Sequence, residues 1–169
     1  MSKYLAYPFL YDNSDDLRCD YEIFTDEISS TIGLLRAFIT DENLREELSK
    51  INEIMYHMNA CLRTKTTVTI DELKWVESRT LVYQDEIKDR VNKFVTPQGS
   101  IEGSYAHVIR TKCKALVRLL HRHREQGNKV DEILFDFANL FSGYFFILAL
   151  KLNKEADVEE IEFVSRNYK

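Results

Sequence analysis

The chain has 169 residues, a formal net charge of −5, and 44% hydrophobic and 30% charged residues. That length fits one domain with its own apolar core, and the acidic balance gives no general reason to expect a nucleic acid as partner. Only 5 Gly and 2 Pro punctuate the chain, so tight turns are scarce and long helices are expected.

Residues 1–18 pass from aromatic to acidic and read as an irregular arm. The start, "MSKYLAYPFLYDNSDD", lacks a basic segment followed by an apolar run, so no signal sequence is expected. From about Cys19 to Phe38 the pattern turns helical, with Ile23, Ile28, Ile32, Leu35 and Phe38 near one face. Thr40 can cap a second helix through about Arg63, with Leu44, Leu48, Ile51, Met55, Met58 and Leu62 inward. "TIDE", Thr69 to Glu72, is a capping box. It opens a third helix to about Phe94, carrying Leu73, Val76, Leu81, Ile87 and Val91. "VTPQGS" is the clearest break.

A fourth helix runs from about Ile101 to Glu125 and ends at "QGN", and a fifth starts near Val130. The fifth contains "FANLFSGYFFILAL", 137–150, which is apolar on nearly every side and should be central. That run is too short to span a bilayer, so no membrane is expected. The bundle domain is placed at 19–153, followed by an acidic tail, 154–169, expected to be partly ordered. No stretch alternates as a strand. The fold class is all-α, an antiparallel helical bundle with short connections.

Candidate chemistry is sparse. His57 and Cys61 share a helix face at i, i+4, but two ligands make no zinc site, so no metal is expected. Cys19, Cys61 and Cys113 are odd in number and widely spaced, as for free thiols in a reducing cytoplasm. Cys113 lies among Arg110, Lys112 and Lys114 but also on the apolar stripe Ile109, Cys113, Leu116, Leu120, where a buried inert thiol is expected. His121 and His123 read as solvated extensions of a basic face. The strongest feature is that face: Arg110, Lys114, Arg118 and Arg122 stack on successive turns of an acidic protein. Arg110 and Lys114 flank the core seam, where an unpaired charge is costly. They call for carboxylates such as Asp26 or Glu27, or for a bound anion such as a polyphosphate.

The stretch "FVTPQGSIEGSYAHVIRTKCKALVRLL" resembles the signature of the PduO-type ATP:cob(I)alamin adenosyltransferases, approximately F-I-L-P-G-G-S, a gap, then L-H-V-A-R-T-V-C-R-R-A-E-R. Phe94, Pro97, Gly99, Ser100, His107, Val108, Arg110, Thr111, Cys113 and Arg118 fall in register. "DDLRCDYEIFTDEISSTIGLLRAF" and "ANLFSGYFFILAL" resemble two further segments of that family, so the similarity spans roughly Asp15 to Asn153.

The resemblance implies a five-helix bundle that assembles as a homotrimer with active sites at subunit interfaces. It implies transfer of the 5′-deoxyadenosyl group of ATP, with Mg²⁺, to cob(I)alamin. By register, Phe94 is the aromatic residue that packs under the corrinoid and excludes its lower axial ligand. Asp26 and Arg110 are the intersubunit salt bridge supporting that pocket. Lys114, Arg118 and Asn139 are what the resemblance leaves as contacts to ATP and its triphosphate.

The chain departs from the pattern on the nucleotide side. The 14 residues before Asp15 lack the family's glycine-containing phosphate motif, and its preceding lysine is Ser14. The family's R-R-A-E-R is "KALVR" here, with Lys114, Ala115 and Val117 at its polar positions; Gly143 and Leu150 replace an Asp and an Arg. A catalytically silent corrinoid- or ligand-binding carrier or sensor of the same fold is therefore the alternative to the enzyme.

Overall fold

The computed structural model describes residues 3–4 and 8–167, so part of the expected arm, 1–2 and 5–7, lies outside the described residues. After a 3-10 turn at Pro8–Tyr11 come five helices: α1 Leu17–Phe38, α2 Glu42–Asn59, α3 Ile70–Glu86, α4 Ile101–Glu125 and α5 Glu132–Glu155. Among the described residues there is no strand; one isolated antiparallel bridge joins Val95 and Glu162.

Four helices start on a side chain that satisfies an otherwise orphaned backbone N–H. Asp16 accepts from Arg18 N at 3.1 Å, so α1 begins at Leu17 rather than Cys19. Asp41, and not Thr40, caps α2 by accepting from Leu44 N at 2.7 Å. The reciprocal box of Thr69 and Glu72 opens α3 as expected. Ser100 accepts from Gly103 N at 3.0 Å and opens α4.

End-to-end contacts give the topology. The Tyr21 hydroxyl at the start of α1 donates to Met58 O at the end of α2, 2.9 Å. Phe38 at the end of α1 stacks on Tyr105 near the start of α4, centroids 5.4 Å apart. Ser100 N before α4 donates to Asn153 Oδ1 at the end of α5, 2.9 Å. Lys151 near the end of α5 pairs with Glu86 at the end of α3, 3.0 Å. Successive helices therefore run up-down-up-down-up, with α3 and α5 as parallel neighbours.

The fifth helix fills the centre: Phe137, Phe141, Tyr144, Phe145 and Leu148 are fully buried. The apolar run extends into a longer helix than 137–150. With mean hydropathy 1.8, α5 is the one helix among the described residues long and apolar enough to cross a membrane, and 61% of that window is buried within the bundle. Three residues expected inward face out, Leu81 at 60%, Ile23 at 49% and Phe38 at 42% exposure, and of α3 only Val76 and Tyr83 are buried. At the α2–α3–α5 junction Glu47 is buried and accepts from Arg79 Nε at 2.6 Å, Tyr83 Oη at 3.0 Å and Tyr144 Oη at 2.7 Å.

The largest departure from the sequence reading is the end of α3. It stops at Glu86, well before Phe94. Residues 87–92 close local turns, and from Phe94 to Ser100 the loop is held mainly by tertiary bonds from the tail and from Asn153. Tail residues 158–163 are tied down rather than loose: Thr96 N donates to Ile161 O at 3.0 Å and Phe163 N to Phe94 O at 2.7 Å. Fully buried Asn153 pins the other end of the loop, donating to Gln98 O at 3.1 Å while accepting from Ser100 N.

Glycine is required where Asn153 makes these bonds. A Cβ on Gly103 would sit 2.2 Å from Asn153 Oδ1 and 3.1 Å from Ala149 O. Gly103→Ala is therefore expected to cost about 1–3 kcal/mol of unfolding free energy, as overpacking does. A urea midpoint equal to that of the wild type would show that Asn153 can move without loss.

Candidate functional site

The site is built where the 87–100 loop crosses α4 and α5. A cleft of about 480 Å³ opens there, lined from the loop by Val91, Lys93, Phe94 and Val95 and from the helices by Arg110, Lys114, Ser142, Gly143 and Phe146. Arg110 and Lys114 are one turn apart, so α4 presents both cations to the same space. Gly143 widens it: a Cβ there would meet nothing within 4 Å.

Phe94 is 86% exposed, the most exposed large hydrophobic side chain among the described residues. Its ring lines the cleft from a backbone that is fixed on both sides. Arg110 is the opposite case. Its Nε is buried with no hydrogen-bond partner among the described residues. Its guanidinium lies 5.8 Å from the Phe146 ring centroid, and burial lowers its pKa. A buried, unpaired guanidinium nitrogen is an unmet demand for an acceptor.

One turn back, His107 is 3% exposed and both of its ring nitrogens lack partners among the described residues. Burial first, then neighbouring Arg110, pull its pKa down to about 4, so the ring is neutral at pH 7. It packs against Phe146 with centroids 6.2 Å apart. The sequence reading gave His107 no role, although its place three residues before Arg110 puts it on the same helix face.

The structure brings together Phe94, Arg110 and Lys114. Arg118 continues their row and is exposed outside the cleft. Asn139 is also exposed, and its side-chain amide donates to Phe135 O within its own helix, 2.9 Å. Asp26 does not line the cleft. It sits exposed in a separate groove between α1 and α2 with Ser30, Gly33, Arg36 and Asn52.

Two cations of α4 beside this row have their own acids. Lys112 pairs with Glu27 at 2.5 Å, and Arg124 with Glu132 at 2.8 Å. The two histidines near the end of α4 separate. His121 packs on Phe135 at 4.8 Å, whereas His123 is 3% exposed and not a solvated extension. Position 123 prolongs the buried stripe of Leu116 and Leu120, which overrides its polar character.

Cys113 is fully buried and burial pushes its thiol up to about 12, so it is inert at neutral pH. The Cys61 thiol donates to His57 O, 3.3 Å, and its pKa is raised by burial. Among the described residues there is no group of three or more His, Cys, Asp or Glu that could hold a metal ion. All three cysteines are free.

The bundle is antiparallel and helical, and over one cleft it sets an exposed aromatic ring beside an arginine whose Nε is buried without a partner among the described residues. The chain belongs to the cobalamin adenosyltransferase family, whose profile matches residues 14–152. It is 26% identical over 160 residues to the corrinoid adenosyltransferase of Bacillus subtilis (strain 168), covering 89% of this chain and 82% of that protein.

Solved structures share the fold. A phenylalanine-to-alanine variant of the PduO-type ATP:corrinoid adenosyltransferase from Lactobacillus reuteri, complexed with cobalamin and ATP, matches with a TM-score of 0.81. Its identity is 21%, covering 92% of this chain and 89% of that one. An arginine-to-lysine variant of a Lactobacillus reuteri PduO-type adenosyltransferase, complexed with ATP, matches at 0.78 with 22% identity, covering 91% and 89%.

Proposed function

We propose that this protein transfers the 5′-deoxyadenosyl group of ATP to cob(I)alamin, in a homotrimer whose sites lie between subunits. The observation that carries the reading is the unpaired Arg110 beside Phe94. The wedge and its supporting cation share a cleft, while Asp26 faces out elsewhere on the same chain. Asp26 of one subunit paired with Arg110 of the next satisfies both: the orphaned Nε gains an acceptor and the exposed carboxylate gains a cation.

In the reaction, the cobalt lone pair of cob(I)alamin attacks C5′ of ATP. The Co–C bond forms, the C5′–O bond breaks, and triphosphate leaves with the bonding electrons, assisted by Mg²⁺. Phe94 packs under the corrinoid and keeps water or a base off the lower axial position. Lys114 and Arg118 neutralise the leaving triphosphate, Lys114 as a point charge rather than a bidentate fork. Asn139 has one amide hydrogen committed to Phe135 O, leaving its carbonyl oxygen and second N–H for the nucleotide.

The second reading, a silent corrinoid-binding carrier or sensor, is favoured by a different observation. Leu150, where the family pattern has an arginine, is fully buried in the core. Val117 is half-buried and Ala115 offers no polar group. Binding measurements separate the two readings. ATP titrated into the protein by calorimetry should give a saturable isotherm. ATP added to the cob(II)alamin complex should shift the absorption spectrum towards four-coordinate cobalt, and reduction should yield adenosylcobalamin. Cobalamin binding with no response to ATP leaves the carrier; no cobalamin binding removes both. Arg110→Ala and Asp26→Ala should each lower the trimer mass seen by light scattering or weaken cobalamin binding. Full retention of both properties would remove the intersubunit bridge.

A further inference from the structure

We propose that Arg90 is a positioning residue for the adenosyl transfer: it clamps the C-terminal segment 158–163, and that segment holds the backbone that carries Phe94. The proposal rests on the reading of Phe94 as the wedge beneath the corrinoid.

The loop between α3 and α4 has few bonds of its own around Phe94. Arg90 N still bonds to Ile87 O at 2.8 Å. From there to Thr96 the backbone bonds run to the tail: Phe163 N donates to Phe94 O, Thr96 N donates to Ile161 O, and Val95 forms the antiparallel bridge with Glu162. Lys93 adds a long ion pair to Glu162, 3.9 Å. A bridge this short does not hold itself together in water. Its two strands need an external brace.

Arg90 supplies that brace. Its Nη1 donates to Val158 O at 2.6 Å and to Glu160 Oε2 at 3.1 Å, and its Nη2 to Glu159 Oε1 at 3.2 Å. The side chains of Arg90 and Glu160 are 11% and 7% exposed, so this pair is shielded from water; that of Glu159 is 86% exposed and contributes little. The tail reaches Arg90 because α5 ends in a sharp turn. Asp157 takes a left-handed φ of 55°, and Val158 N donates back to Asn153 O at 2.8 Å. The clamp thus closes within a few residues of the helix end, immediately before the paired stretch.

Without Arg90, Glu160 would be left as a shielded carboxylate with no cation, beside neutral His107. The tail would move outward to hydrate it and would take the acceptor and donor of the Phe94 segment with it. The wedge would keep its ring but lose its aim. Misplacement of a positioning group by an ångström can cost about a hundredfold in rate. A lysine replaces the clamp only in part: its ammonium keeps the charge, but it is a more strongly hydrated point donor on a flexible stem and lacks the planar guanidinium that Arg90 lays between Val158 O, Glu160 and Glu159.

The test uses the full chain with Arg90→Ala and Arg90→Lys, read in two independent ways. Amide hydrogen exchange on the ligand-free protein should show Thr96 and Phe163 opening together, at least about tenfold faster in Arg90→Ala, with α4 and α5 unchanged. The four-coordinate cob(II)alamin signal and kcat should fall by about tenfold or more, with KM for ATP within about twofold, and Arg90→Lys should fall between. Unchanged exchange at Thr96 overturns the clamp. Opened exchange with a full four-coordinate signal overturns the positioning role. A wild-type protein that never gives the four-coordinate signal overturns the adenosyl-transfer reading and the positioning role with it, and the exchange result then decides the clamp alone. If Arg90→Ala does not fold, Glu160→Gln and Arg90→Lys carry the same two readouts.

Discussion

Glu47→Ala is expected to lower the unfolding free energy by about 3–4 kcal/mol, the largest stability loss of any single substitution considered for this bundle. Glu47 is buried and receives three hydrogen bonds, from Arg79, Tyr83 and Tyr144. It joins three helices, α2, α3 and α5, at one buried point. Alanine removes the acceptor and leaves two tyrosine hydroxyls and a guanidinium facing a cavity. Tyr144 is fully buried, and burial holds its pKa well above the ordinary value, so it cannot ionise to adapt. Arg79 has its side chain 33% exposed and can recover water, so the loss is smaller than for a fully buried ion pair. Glu47→Gln keeps the shape and one good acceptor and should cost about 1–2 kcal/mol. Urea unfolding at unchanged m-value measures both. A midpoint for Glu47→Ala equal to that of the wild type would mean the network is ornamental.

This network was invisible in the sequence, and the reason is physical. Glu47 occupies a position in α2 next to Leu48, and nothing local distinguishes a buried carboxylate from a solvated one. Its partners lie 32, 36 and 97 residues away. The helices themselves were legible where local chemistry decided. α4 has the expected bounds because Ser100 caps one end and the polar "QGN" closes the other. The capping box at Thr69 worked in the same way.

The end of α3 was not legible, because Ile87 and Val91 continue a helical spacing while the backbone beyond Glu86 closes local turns and then, from Phe94 on, pairs with the distant tail. His123 was misread on its residue type, although its spacing from Leu116 and Leu120 already marked it as inward. For the site, helical spacing put Arg110 and Lys114 on one face and register put Phe94 with Arg110; that all three line one cleft emerges only in the fold. Spacing and register could not reveal that Arg110 Nε is buried without a partner among the described residues, or that a C-terminal segment pairs with the backbone at Phe94, since both depend on which surfaces meet.

Phe94→Ala is expected to abolish the four-coordinate cob(II)alamin signal and to lower kcat by roughly a hundredfold or more, while leaving stability within about 0.5 kcal/mol of the wild type. The split follows from the position of the ring. At 86% exposure it supports no core contact, so removing it opens no cavity. The backbone at this position is held by Phe163 N and the Thr96–Ile161 bond, neither of which involves the side chain.

On the proposed function, what the variant loses is an apolar surface beneath the cobalt. Without it, water can occupy the lower axial position, five-coordinate cobalt persists, and reduction to the nucleophilic state becomes harder. Cobalamin should still bind, because Arg110, Lys114 and the walls of the cleft remain. Phe94→Leu restores apolar bulk without the ring and should recover part of the signal if exclusion of a ligand, rather than aromatic stacking, is the operative effect. Absorption spectra of the cob(II)alamin complexes with ATP, taken beside urea midpoints for the same variants, read both quantities. An undiminished four-coordinate signal in Phe94→Ala would remove this residue from the mechanism and shift the search for the excluding group to Phe146, the other aromatic ring in the cleft.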